Sequence, residues 1–120
     1  MEPLKIAGFV LSVLGVFPLA VRGILYMLKK PVILKNMKHV DYSSSVLTPF
    51  GIIKIIIAAL TLIPATSFVG VILATGWMGG AIAAHVRVGD KYVIQVILPI
   101  LIWVGFGLRH QNEIRALLGL

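Results

Sequence analysis

The amino-acid sequence predicts an all-α protein, a four-helix transmembrane bundle. Three observations lead there. Hydrophobic residues make up 59% of the 120 and charged residues only 12%, against about 25% charged in a soluble domain. The mean hydropathy is +1.04. The apolar residues are also gathered into four runs of helix length rather than spread evenly. So little polar surface cannot cover a soluble globule of this size, so apolar side chains must face lipid.

The first run covers about residues 6–28 and is interrupted by Ser12, Pro18, Arg22 and a few glycines. It has neither the usual basic n-region nor a clear small-residue cleavage site, so it reads as a mature span rather than a signal segment. The second run covers about 46–62 with Lys54 inside it, the third about 68–86 and the fourth about 92–108. Each approaches the length a helix needs to cross a hydrocarbon core. The whole of 1–120 thus reads as a single integral membrane domain.

The connections differ in character. Residues 29–45 interleave Val32, Ile33, Leu34, Met37 and Val40 with Lys30, Lys35, Lys38 and His39, a pattern that suits a short helix lying on the bilayer surface. Residues 63–67 form a tight uncharged turn and 87–91 a tight charged one. The tail after Arg109 has room for an amphipathic turn or two.

Four crossings put the first and third loops on one side, and both termini with the second loop on the other. Lys29, Lys30, Lys35, Lys38, Arg87 and Lys91 then face Lys5, Arg109 and Arg115 across the membrane. Six against three favours the first and third loops in the cytoplasm. The net charge of +7 lies between apolar runs, which fits lipid headgroups rather than nucleic acid.

Helix spacing assigns faces. Gly8, Ser12, Gly15 and Arg22 share one face of the first helix, Lys54, Ala58 and Thr61 one of the second, and Gln95, Pro99 and Trp103 one of the fourth. Lipid gives no hydrophobic drive for helix association, so small and polar faces should turn inward. Gly76, Gly80 and Ala84 form a small-residue ridge suited to close helix packing. Pro18 and Pro99 should kink or locally unwind their helices.

Topology gathers the polar residues toward one leaflet. Arg22 lies near the end of the first span, Lys54 inside the second, His85 at the end of the third and Gln95 at the start of the fourth. Arg87, Asp90 and Asp41 are available from the adjoining loops. The expectation is one ligand-binding pocket, open on the side of the first and third loops and closed by apolar packing at the other end. Lys54 is the strongest signal, because a lysine this deep needs a partner, a hydrated cavity or a ligand. Its alternative is a structural pair with Asp90 or with backbone carbonyls. Arg87 and Asp90 could equally cap and pair around a turn in which Gly89 is left-handed. His39 and His110 read as interfacial and solvated.

Charge and composition narrow the chemistry. Cations outnumber anions in the pocket set, which favours an oxyanion, a quinone or quinol oxygen, or a lipid headgroup. No span contains Asp or Glu, which argues against carboxylate-based cation transport. There is no cysteine, so the chain carries no thiol, disulfide or iron–sulfur chemistry of its own. No second histidine stands at ligand spacing from His85, so no metal site is expected. Walker, GxGxxG, GxSxG and HExxH signatures are all missing.

The run from Thr48 and Pro49 through Gly51 to Lys54, then Leu62-Ile63-Pro64, then Gly80-Ala81 leading to His85 and Gly89-Asp90 resembles the DoxX-like family of small four-helix membrane proteins. In that family a Gly-x-x-Lys element opens the second helix, a proline ends it, and a small-residue third helix closes with His and a Gly-Asp turn. The matching motifs lie within about residues 46–110, on Lys54, Pro64, His85, Gly89 and Asp90. Arg22 and Arg87 have no secure place in the pattern. The resemblance implies a role near membrane oxidoreductases, some relatives being associated with thiosulfate:quinone oxidoreductase activity, and distant animal relatives resemble receptor-assembly chaperones. The expectation is therefore a subunit of a membrane redox system in a prokaryotic cytoplasmic membrane, binding quinone or a small anion. Lys54 and Arg22 would hold the ligand's oxygen, His85 would be a proton donor or hydrogen-bond partner with its tautomer set by a neighbour, and Asp90 would orient Arg87 or His85. Its partners would be membrane lipid, a redox partner subunit or further copies of itself. The alternative is a non-catalytic scaffold or assembly factor that packs through the Gly76, Gly80, Ala84 ridge.

Overall fold

A computed structural model describes residues 3–29, 31–39 and 44–120. Among these the chain is all helical, with α1 Pro3–Leu28, α2 Pro31–His39, α3 Leu47–Leu62, α4 Ser67–Arg87, α5 Val93–Arg109 and α6 Gln111–Leu117. One-turn 3₁₀ segments, Ser44–Val46 and Pro64–Thr66, lead into α3 and α4. Asp41 and Val40 lie outside the described residues.

Local chemistry accounts for the boundaries. Pro3 sits at the first helical position of α1, where its missing N–H costs nothing. Pro64 forces the preceding Ile63 into an extended conformation, φ −75° and ψ 122°, and so ends α3. The carbonyls left at that end are met by side chains. Ser67 Oγ donates to Thr61 O at 2.8 Å and Thr66 Oγ1 to Leu60 O at 2.9 Å. Helix α4 stops in a Schellman turn. Gly89 takes φ +78°, its N–H donates to Val86 O, and the Asp90 N–H reaches back to His85 O at 2.9 Å.

The four long helices pack antiparallel in a ring, α1 against α3 and α5, and α4 against α3 and α5. The core holds Val16 and Leu19 of α1, Ile57 and Ala58 of α3, Val71, Ala74 and Met78 of α4, and Ile102 and Phe106 of α5. A smaller cluster of Tyr26, Ile33 and Leu47 pins α2 beneath the start of α3. The first loop, where a short helix was expected, is thus helical as α2, and the tail is helical as α6.

The surface is inverted relative to a soluble bundle. Leu14, Phe17 and Ile24 of α1, Ile52 and Ile56 of α3, Val69 and Ile72 of α4, and Ile100 and Val104 of α5 are all exposed, while Ser12, Lys54, Thr61 and Ser67 are buried. Small inward residues permit the close approach. A Cβ on Gly23 would lie 2.9 Å from Gly51 O, and one on Gly8 would lie 2.8 Å from Gly105 O. Backbone-to-backbone packing of this kind replaces the hydrophobic drive that lipid removes.

Two stretches, α1 and Pro64–Arg87, are long and apolar enough to cross a membrane. A third is added if α5 and α6 are joined across their 110° bend. Helix α3, with 16 residues, rises about 24 Å against a core of about 30 Å. Pro18 and Pro99 both sit inside helices that continue through them. Each proline removes one backbone bond, and the helix bridges that gap without unwinding.

Candidate functional site

A cavity of about 520 Å³ lies at the end of the bundle where α1 and α4 finish and α3 and α5 begin. Arg22, Tyr26 and Pro18 come from α1, Phe50 and Lys54 from α3, Gly76, Trp77, Gly80, Ala81 and His85 from α4, and Gln95 and Leu98 from α5. His39 and Asp90 stand at its loop side. Of the residues the sequence singled out, Arg22, Lys54, His85, Asp90 and Gln95 are thus brought together. Arg87 is exposed at the last turn of α4 and does not line the cavity.

Lys54 is 5% exposed, although it lies on a helix otherwise made of apolar and small residues. Its ammonium meets rings rather than anions. Nζ lies 4.0 Å from the Tyr26 ring centroid and 5.6 Å from that of Trp77. The Arg22 guanidinium carbon lies over the same tyrosine at 5.8 Å. Trp77 is braced edge-on by Phe50, with ring centroids 4.9 Å apart. Aromatic faces carry negative potential and stabilise a cation that has left water. Among the described residues Lys54 has no hydrogen bond or ion pair, so the structural pair with Asp90 or a carbonyl is not what holds it.

His85 is oriented by its own helix. Its Nδ1 lies 2.8 Å from Ala81 O. A carbonyl oxygen can only accept, so Nδ1 carries the proton of that bond. The other ring nitrogen, Nε2, has no hydrogen-bond partner among the described residues.

Asp90 has a different partner from the expected ones. Its Oδ2 lies 2.7 Å from His39 Nε2, joining the end of α2 to the α4–α5 turn beside the cavity. His39 is 57% exposed, yet it is hydrogen-bonded to Asp90 and not merely solvated. The Asp90 side chain is therefore placed by α2, while its backbone closes the α4 cap.

Gly76 and Gly80 have no neighbour within 4 Å of an added Cβ. Inside this chain they do not pack helices; they make room for the cavity. Ala84, the third residue of the ridge, is buried. Tyr26, Phe50, Trp77 and His39 were missed in the sequence. The aromatic signal was available as Tyr26 one turn beyond Arg22, on the same face. His39 gave no signal, because its pairing spans 51 positions.

Below the cavity the bundle is closed by the apolar core, as expected, but beyond that core stands a polar knot. Arg109 donates from Nη2 to Leu62 O at 2.8 Å and from Nη1 to Thr61 O at 3.0 Å and Ser12 Oγ at 3.2 Å. It thus caps the carbonyl end of α3 with a cation, the sign that a helix C-terminus favours. Next to it His110 stacks on Phe106 at 4.9 Å. Among the described residues, groups of three or more potential metal-ligating side chains are absent.

The family model of the DoxX-like family matches residues 10–106. That range takes in most of α1 as well as the motifs of α3 and α4. No curated protein and no solved structure matches the chain.

Proposed function

The chain belongs to the DoxX-like family and is a membrane protein, and we propose that its cavity binds a quinone-type ligand or small anion as a subunit of a membrane redox system. The observation that carries this reading is Lys54, a buried amine set against two aromatic rings at the wall of a 520 Å³ cavity. Burying a lone charge costs several kcal/mol (on the order of 3 on insertion scales), and aromatic faces return only about 0.5–2 of it. An oxygen-bearing ligand would offset the rest.

The walls favour a flat ring over a small inorganic ion. Tyr26, Phe50 and Trp77 supply faces and edges, Lys54 and Arg22 supply donors to a ligand oxygen, and Gly76 and Gly80 leave the space between them. Any electrons would come from and leave to a partner, since the chain has no cysteine. In this reading α3 and α5 complete a four-crossing bundle, the cavity opens toward the cytoplasmic face, and lipid surrounds the exposed belt.

The test is to purify the protein in mild detergent and identify co-purifying quinones and lipids by mass spectrometry. Lys54→Ala and His85→Ala should each lose the retained ligand. Equal retention by wild type and both variants, all folded, would sink the site and leave the scaffold reading, in which the exposed small-residue face of α4 meets a partner helix.

A further inference from the structure

We infer that the cavity selects the hydroxyl-bearing, reduced form of its ring ligand (a hydroquinone or phenol) over the fully oxidised carbonyl form. The inference rests on the ring-binding reading above and on the bond that His85 makes to its own helix.

The cavity offers two kinds of polar group. Lys54 and Arg22 both carry N–H donors, and either form of the ligand can accept from them. His85 is different. Its Nδ1–H is committed to Ala81 O at 2.8 Å, and in the neutral ring the nitrogen that remains, Nε2, is an acceptor. Among the described residues nothing donates to it. Gln95 could donate to a ligand oxygen as well as accept, so it does not discriminate.

A hydroquinone satisfies this arrangement at both ends. One hydroxyl donates to His85 Nε2, while the opposite oxygen accepts from Lys54 or Arg22. An oxidised quinone presents lone pairs alone. Its carbonyl facing His85 would set acceptor against acceptor and leave Nε2 unsatisfied after water has gone. Sites built around a hydrogen-bonding group reject analogues that cannot complete the bond, and an unmade bond of this kind corresponds to about tenfold in affinity. The aromatic walls do not oppose the choice, since both forms are flat rings of nearly the same size.

The experiment is equilibrium dialysis of the full chain in detergent micelles against a tail-less benzoquinone and the corresponding hydroquinone. It is run under argon and corrected for partition into empty micelles. Wild type should bind the hydroquinone about tenfold more tightly. His85→Gln, whose amide can turn to donate or accept, should bind both with affinities within about twofold. The dimethyl ether of the hydroquinone, which cannot donate, should bind wild type no better than the quinone, so the result stands even if the variant does not fold. Equal or reversed preference in wild type overturns the inference and leaves the cavity reading intact. A preference that survives in folded His85→Gln also overturns it. Binding of none of the three ligands overturns both.

Discussion

At the scale of the residue, the protein turns on where a single methylene or charge can go. Lys54 reaches the cavity wall, and rings take the place of water around its amino group. Lys54→Met keeps the reach and removes the charge. Its melting temperature in detergent should be unchanged or raised, because a buried cation without an ion-pair partner is a cost to the fold. Ligand retention should fall at least about tenfold. A lowered melting temperature would make Lys54 a structural group. The glycines divide equally sharply. Gly23→Ala puts a methyl 2.9 Å from Gly51 O and should destabilise by about 1–3 kcal/mol in denaturant titration. Gly79→Ala meets nothing within 4 Å and should be neutral or stabilising by up to about 1 kcal/mol. Both glycines stand in apolar helices, and their flanking residues do not report what lies across from them. Only the neighbour's backbone distinguishes them.

At the scale of the element, helix ends decide more than helix interiors. The α3 C-terminus is met by Ser67, Thr66 and the Arg109 fork, so Arg109→Ala should cost about 2 kcal/mol of stability. Arg109→Lys should recover only part of it, because an ammonium cannot match two carbonyls with a planar fork. Unchanged unfolding in Arg109→Ala would remove it from this role. His110 stands at the break between α5 and α6. Its imidazole is held below the ordinary histidine range, first by burial and then by the nearby Arg109, with Glu113 opposing. The fold therefore favours its neutral form. That contribution is complete above the unfolded value of about 6.5 and declines as pH falls below it. Melting temperature should be flat on the alkaline side of about pH 6.5 and drop on the acid side. His110→Phe, which preserves a stack on Phe106, should flatten the acid limb.

At the scale of the whole molecule, the ring of antiparallel helices makes one end polar and aromatic and the other a capped knot. A cysteine-free chain makes the crossing pattern easy to test with single introduced cysteines. Lys91→Cys and Ala65→Cys, both at exposed turn positions, should label from opposite faces, the former from the cytoplasm. Labelling of both from one face would show that α4 does not cross. The three connecting segments, the helicity of α2 and the small inward faces of α1 and α3 were legible because each is a local pattern. Periodicity, proline and glycine encode them within one or two turns.

The sequence by itself determined that the protein is all helical and apolar on the outside, where its helices stop, and that Arg22, Lys54, His85, Asp90 and Gln95 share one end. Those are consequences of composition, local backbone chemistry and alternating direction. The tertiary structure decided which contacts are made there. It set Lys54 against Tyr26 and Trp77 rather than Asp90, gave Asp90 to His39, left Arg87 off the cavity wall, and turned Gly76 and Gly80 from a packing ridge into open space. Such choices depend on helix rotation and on pairs far apart in the chain, and residue spacing along one helix carries no information about the face of another.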